Sequence, residues 1–206
     1  MTMIPQISCD YESASKTDSS CKLSIGKTSV LVGVMGPIEA RSAMTHLGLQ
    51  IETSIRSPSG VPGSLEKSIE SFVNDILRYC IPLDRFHSTQ LNISIEILSD
   101  DGYLISTILN ATMLACFQLG LPLSDFPVAA SVACIEDEVI PFPSKRDEAL
   151  ATALLTCCFS SKSQKLIGMN QTHGKSALSV MKDMISSCED SCRAYQQRAE
   201  IPNITS

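Results

Sequence analysis

Three groups of residues in this chain have types and spacings that could do chemistry. The first is the turn Asp100-Asp101-Gly102-Tyr103, where two carboxylates and a glycine lead into an apolar run opening with Leu104 and Ile105. Free N–H groups at a helix start attract anions, and a phosphate there calls for small residues with a cation beside them. Tyr103, Leu104 and Ile105 supply neither, so the turn reads as a helix cap built on Asp100 or Asp101. The second is a set of possible zinc ligands: Cys188 and Cys192, His173 and the pair Cys157-Cys158. No C-x2-C knuckle accompanies them, and Cys188 and Cys192 lie on an apolar stripe, where free cysteines behave as small hydrophobes. The third is Ser176 with His173 and Asp183, the residue types of a hydrolase triad. The serine lacks the flanking glycines of a nucleophile elbow. On these grounds the chain is expected to hold no metal and no cofactor.

The elements that must position these residues are legible from periodicity. Residues 1–20 are rich in Ser, Asp and Thr and read as a flexible lead-in. Thr28 to Met35 is a strand signal ended by Gly36-Pro37, and Leu47 to Ile55 alternates as a second. Arg56 to Gly63 is a Pro/Gly loop long enough to be functional. Ser64 offers an N-cap oxygen, and Leu65, Ile69, Phe72, Val73, Ile76, Leu77 and Cys80 predict an amphipathic helix over 64–80. Residues 89–98 alternate as a half-buried strand. Tyr103 to Leu119 predicts a helix apolar nearly all round, hence buried. Val128–Ile135 with Glu138–Phe142, and Ala151–Phe159 with Lys165–Asn170, read as two hairpins. A last helix is predicted over 176–198, with Leu178, Met181, Ile185, Cys188, Cys192 and Tyr195 as its buried stripe. The order is β-β-α-β-α-β-β-β-β-α: a single α+β domain over 21–198 with about three helices, and a tail at 199–206.

Composition narrows the function. The 206 residues carry 16 Lys plus Arg against 22 Asp plus Glu, a formal net charge of −6. That balance excludes a globally basic nucleic-acid-binding domain and leaves only a local patch. Charged residues make up 18%, against roughly a quarter in an ordinary soluble domain, while the hydrophobic fraction of 44% supports a sizeable core. Low charge beside a normal core points to surface reserved for other proteins. The Val-, Leu- and Ala-rich strands at 128–135 and 151–159 are candidates for sheet edges that pair with partners. No run reaches the roughly 20 apolar residues of a membrane span, and Met1 to Asp10 has no signal-peptide pattern. Nine cysteines at irregular spacing are expected to be reduced thiols. The Asn-x-Ser/Thr triplets at Asn92, Asn110, Asn170 and Asn203 are then chance matches.

A family resemblance runs through these elements. The stretch from Thr28-Ser-Val-Leu-Val-Gly-Val-Met-Gly-Pro37 to Arg56-Ser-Pro-Ser-Gly-Val-Pro-Gly63 and Glu66-Lys67 resembles the start of the RNase PH domain. So do Ile97-Leu-Ser-Asp-Asp-Gly102, Leu109-Asn-Ala-Thr-Met-Leu-Ala-Cys116, Pro141-Phe-Pro-Ser-Lys145, Leu154 to Cys158 and Lys165-Leu-Ile-Gly168. The similarity covers about residues 20–195. It is greatest to the non-catalytic subunits of the eukaryotic RNA exosome ring, of the forty-six type.

The resemblance implies an RNase PH-like fold, but the chain departs from the enzymes of the family at two places. Those enzymes carry Asp-Gly-Gly-Thr-Arg where this chain has Asp101-Gly102-Tyr103-Leu104-Ile105, and their Thr and Arg hold the attacking phosphate. Leucine and isoleucine would desolvate an anion without compensating it. An Asp in the enzymes' Asp-Met-Asn run falls at Ala153 in a gap-free reading. The implied role is therefore structural: a subunit of a hetero-hexameric ring of RNase PH-like chains that guides single-stranded RNA to a separate nuclease. Cap subunits are further implied partners, and nucleus (with nucleolus) and cytoplasm the implied places. Arg56 and Lys67 flank the loop that lines the channel in ring-forming relatives, and Lys145 and Arg146 sit in a second basic stretch. These four are the candidate RNA contacts, set against ordinary surface charge and, for Lys145 to Asp147, a solvated loop after a strand. The rival implication is a free homodimer with metal-assisted nuclease activity on Asp100, Asp101 or Asp147.

Overall fold

The computed structural model describes residues 5–40, 48–57, 63–174 and 178–198. Two sheets enclose one central helix. The first contains β1 (Ile7–Tyr11), β2 (Ser19–Ile25), β3 (Thr28–Glu39), β4 (Gln50–Arg56) and β5 (Thr89–Ser99), in the order β1-β2-β3-β5-β4. Every pair in it is antiparallel except β4 with β5. Parallel neighbours need a long crossover, and α1 (Ser64–Cys80) provides it, followed by a short 3-10 turn at Leu83–Arg85. The second sheet is antiparallel: β6 (Pro127–Ile135), β7 (Glu138–Pro141), β8 (Ala153–Ser160) and β9 (Leu166–Gly174), in the order β7-β6-β8-β9.

Between them runs α2 (Leu104–Gln118), packed on β2 and β3 of one sheet and β6 and β8 of the other. Every residue from Ile105 to Cys116 is buried, polar ones included. That explains a composition apolar around the whole circumference: both sides of the helix are core. The buried polar groups are satisfied locally. Asn110 donates to the Ala129 carbonyl and accepts from the Ala129 N–H, both at 2.9 Å. β7 pairs with β6 only from Val132 onward, so this amide supplies the hydrogen bonds that β6 lacks on that edge. The amphipathic α4 (Leu178–Arg198) covers β6 and β8, burying Met184, Cys188, Ser191, Cys192 and Tyr195.

The α+β class holds, with six differences from the sequence-based expectation, one being that β3 runs on through Gly36-Pro37 to Glu39. Residues 7–11 and 19–20, expected within a flexible lead-in over 1–20, belong to β1 and β2, and β2 runs on to Ile25. Cys21, Leu23 and Ile25 point into the core, and Gly26-Lys27 closes a two-residue hairpin with Gly26 left-handed at φ +54°. Polar Ser20, Lys22 and Ser24 masked a run that alternates at period two. Among the described residues helices number four rather than about three, because α3 (Lys145–Leu150) stands where Lys145 to Asp147 are expected in a solvated loop. Ser64 is the first residue of α1 and not its cap; Gly63 holds the cap position, with its N–H donated to the Glu66 carboxylate at 2.8 Å. The apolar strands at 128–135 and 151–159 are not sheet edges. β6 and β8 lie inside their sheet, which is why both are buried along nearly their whole length, and the edges fall to β7 and β9. In α4 the stripe centres on Met184, with Met181 half-buried. The expected loop centred on 58–62, Ser176 of the imagined triad and the tail at 199–206 lie outside the described residues, as does the side chain of His173.

Candidate functional site

The site that the sequence singles out lies at the N-terminus of α2. The turn Asp100-Asp101-Gly102 is tied to the start of β3, where Thr28 donates to the Gly102 carbonyl (2.8 Å) and accepts from the Asp101 N–H (2.9 Å). Gly102 has φ +112°, and a Cβ there would come within 2.1 Å of the Pro143 carbonyl oxygen. Only glycine lets the 143–145 backbone pass this close. That approach brings α3 across the helix start, with the Lys145 N–H donated to the Asp101 carbonyl at 2.8 Å.

Tyr103 also adopts the left-handed region, at φ 44°, which costs a non-glycine residue roughly 1–2 kcal/mol. In the enzymes this is the second glycine of the motif. The tyrosine is held there at both ends of its side chain: its hydroxyl donates to the Ile25 carbonyl (2.8 Å), and its buried ring meets Phe142 edge-on at 6.2 Å. Burial pushes the phenol above its ordinary pKa.

The anion position of the helix start is already filled from within the chain. Glu148 on α3 accepts the Tyr103 N–H at 2.8 Å. Its other oxygen lies 3.3 Å from the Lys145 ammonium, which also donates to Asp100 at 2.5 Å. Burial draws the Lys145 pKa down, but the Asp100 hydrogen bond and the Glu148 charge outweigh it, and the net shift is upward. The expected cap on Asp100 or Asp101 is thus corrected: Asp100 accepts the Gly102 N–H of the turn (3.1 Å), while Glu148 serves the helix.

A cavity of about 90 Å³ opens beside this carboxylate. Leu65, Leu104, Ile105 and Leu154 give it apolar walls, and Ser131 and Thr156 a polar floor. The two hydroxyls are 2.8 Å apart, and Ser131 also donates to Ser106 at 3.0 Å. A phosphate placed here would meet a carboxylate at the helix N-terminus and leucine and isoleucine beside it. Ala153 is buried at the start of β8, with a methyl group and no proton to exchange.

Two of the three carboxylates expected for a nuclease, Asp100 and Asp147, are engaged elsewhere. Asp147 accepts from both the N–H and the hydroxyl of Ser144 (2.9 and 2.7 Å) in the capping box of α3, and Asp100 is paired with Lys145. Among the described residues no group of three His, Cys, Asp or Glu side chains could hold a metal ion. Cys188 and Cys192 point their thiols at the carbonyls of Ala130 and Val128, in the core.

The four candidate RNA contacts fall on three elements. Arg56 ends β4, is largely exposed and pairs with Glu96 at 3.6 Å. Lys67 is exposed in the first turns of α1, Lys145 and Arg146 in the first turn of α3. Sequence reasoning missed Glu148, Thr28 and the Ser106-Ser131-Thr156 hydroxyls. One signal was available: Ser144-Lys-Arg-Asp147 has the capping-box spacing that announces a helix and so places Glu148 on it.

Residues 5–122 match the 3′ exoribonuclease family, domain 1, the RNase PH domain. The exosome complex component rrp46 of Schizosaccharomyces pombe is 32% identical over 117 residues, which are 56% of this chain and 52% of that protein. The exosome complex component RRP41-like of Arabidopsis thaliana is 26% identical over 151 residues, 69% of this chain and 59% of that one. The chain therefore matches only between half and six-tenths of the length of these two relatives. The crystal structure of rice (Oryza sativa) Rrp46 superposes with a TM-score of 0.88 at 21% identity, over 97% of this chain and 95% of that one. A chain of the Archaeoglobus fulgidus exosome with RNA bound to the active site gives 0.80 at 18% identity, over 95% and 89%. At such identities the likeness is one of fold, and it spans both sheets and the helix between them. With the family match covering residues 5–122, more than half of its length, the chain belongs to the 3′ exoribonuclease family and carries its RNase PH domain.

Proposed function

We propose that this chain is a non-catalytic structural subunit of an RNA exosome core ring. One observation carries the non-catalytic part: the Glu148 carboxylate accepts the Tyr103 N–H and occupies the helix start, which the resemblance implies is the phosphate position of the family's enzymes. Leu104 and Ile105 beside it supply no cation. A phosphate entering would have to displace a hydrogen-bonded carboxylate and lose its own hydration against apolar walls, a double cost with nothing to offset it. The ring role is supported by relatives that are exosome components and by fold likeness to exosome chains.

In this reading the chain pairs with other RNase PH-like subunits in a hetero-hexameric ring, beneath cap subunits. Single-stranded RNA passes to a separate nuclease, in the nucleus and the cytoplasm. Arg56, Lys67 and Arg146 are the exposed cations suited to touching RNA phosphates. Lys145 contributes less, since two carboxylates already hold its ammonium. Phosphate contacts of this kind carry no sequence information.

The test is affinity purification of the tagged full-length chain with identification of what accompanies it, alongside an RNA degradation assay of the chain alone. Other RNase PH-like subunits should co-purify, and added inorganic phosphate should release no nucleoside diphosphates from single-stranded RNA. Phosphate-dependent release would refute the non-catalytic reading. A lone homodimer with metal-dependent cleavage would refute the ring role. For the RNA path, an Arg56→Ala, Lys67→Ala and Arg146→Ala variant of the assembled complex should bind RNA with a shallower salt dependence. The slope should fall by about one for each of these cations that neutralises a phosphate.

A further inference from the structure

A second meeting of reactive groups lies away from the helix start, where β1 crosses β2. Cys9 and Cys21 point to the same face of the sheet with their sulfurs 3.3 Å apart. Of the nine thiols, Cys9 alone is not buried. It opens into a cavity of about 190 Å³ that it shares with Tyr11, Leu23, Leu114, Tyr195 and Arg198. Tyr195 is 1% exposed, and among the described residues its hydroxyl has no hydrogen-bond partner, an unusual state for a buried phenol. An accessible thiol, a spare buried donor and a guanidinium therefore share one small pocket, with a second thiol in contact with the first.

We propose that Cys9 and Cys21 are a redox-active dithiol that takes hydroperoxides as its oxidant, with Cys9 as the attacking thiolate and Cys21 as the resolving thiol. The Cys9 thiolate attacks the terminal oxygen of the peroxide. The O–O bond breaks, the alkoxide or hydroxide leaves and takes a proton from water, and Cys9 becomes a sulfenic acid. Cys21 then attacks the Cys9 sulfur, the S–O bond breaks, and the departing hydroxide takes the Cys21 proton to leave as water. Two electrons pass from the thiol pair to the peroxide and one disulfide results.

The surroundings suit each role. The hydrogen bond from Cys21 is the largest influence on Cys9 and, with one from Tyr11, outweighs burial and the nearby Asp10 charge, lowering its pKa to about 7. Cys21 is held protonated by that same bond and by burial while Cys9 is a thiolate; oxidation of Cys9 removes the bond, and Cys21 then gives its proton to the departing hydroxide as it attacks. Tyr195 and Arg198 of α4 complete the set of titratable groups around the pocket. Among the remaining thiols, burial pushes Cys116 up to about 12 and Cys158 and Cys192 well above the ordinary range. Reaction therefore selects Cys9, since the thiolate is the nucleophile and must be reached. Cys9 faces Leu23 and Cys21 faces Tyr11 across the ladder, so the two cysteines are diagonal neighbours. The sulfurs must approach by about 1.3 Å to bond. Among the described residues β1 is an edge strand paired with β2 alone, and can give that distance.

The experiment treats the reduced full-length chain with a few-fold excess of hydrogen peroxide, blocks free thiols with N-ethylmaleimide and maps peptides without reduction. A Cys9–Cys21 linked peptide should form while the other seven thiols remain free. In Cys21→Ser, Cys9 should stop at the sulfenic acid and be captured by dimedone; in Cys9→Ser neither product should form. Circular dichroism of both variants verifies the fold. The alkylation rate of Cys9 should reach half its maximum near pH 7. Absence of the linked peptide in the wild type, or oxidation of Cys9 no faster than that of the buried thiols, would overturn the proposal.

Discussion

Replacing Glu148 by alanine isolates the feature on which the non-catalytic reading rests. The side chain is 14% exposed, accepts the Tyr103 N–H at 2.8 Å and lies 3.3 Å from Lys145. Its removal cancels a charge-assisted hydrogen bond, worth about 1.5–3 kcal/mol. The favourable position of a carboxylate at a helix N-terminus is lost as well, at about 0.3–1 kcal/mol. The ion pair adds little, because Lys145 is half-exposed and keeps Asp100. The adjoining cavity admits water to the freed N–H, so the net cost should be about 2–3 kcal/mol. For a chain of this length each kcal/mol moves the melting temperature by about 2–4 °C, so Glu148→Ala should melt roughly 5–10 °C lower. Glu148→Gln keeps an acceptor for the Tyr103 N–H and should lose about half as much. The chain has no tryptophan, so urea and thermal unfolding are best followed by far-ultraviolet circular dichroism. A Glu148→Ala cost below about 0.5 kcal/mol, the scale of an ordinary surface substitution, would refute the cap. Equal losses for the two variants would refute the role of the charge.

Two further outcomes follow from buried groups. Asn110→Ala should destabilise the chain by about 2–4 kcal/mol, since both the N–H and the carbonyl of Ala129 lose their partner inside the core; unfolding within 1 kcal/mol of the wild type in urea would show that β6 does not depend on that amide. Stability should fall as pH rises above about 9: Cys80, Cys116 and Cys158 are held protonated by burial, so the unfolded chain releases protons there that the folded one keeps. Each such thiol removes about 1.4 kcal/mol per pH unit until its folded pKa is reached, and a urea midpoint unchanged between pH 8.5 and 10.5 would contradict it.

The period-two and period-3.6 patterns in the sequence determine β5 and α1, which each bury one consistent face, and continuous apolar runs determine α2, β6 and β8, which are buried all round. They also determine what the helix start cannot do: Leu104 and Ile105 carry no charge in any fold. The N-terminal hairpin escaped because Ser20, Lys22 and Ser24 dilute a short alternation, and α3 because six residues are too few for periodicity. Three decisions belong to tertiary structure. Which strands form edges depends on sheet order, and the order puts the most apolar strands, β6 and β8, inside. The cap of α2 comes from a residue 45 positions away in the chain, brought there because Gly102 lets another backbone pass where any side chain would block it. The contact between Cys9 and Cys21 depends on β1 pairing with β2 in one register; a slip by one residue would turn Cys9 to the opposite face of the sheet and part the two sulfurs.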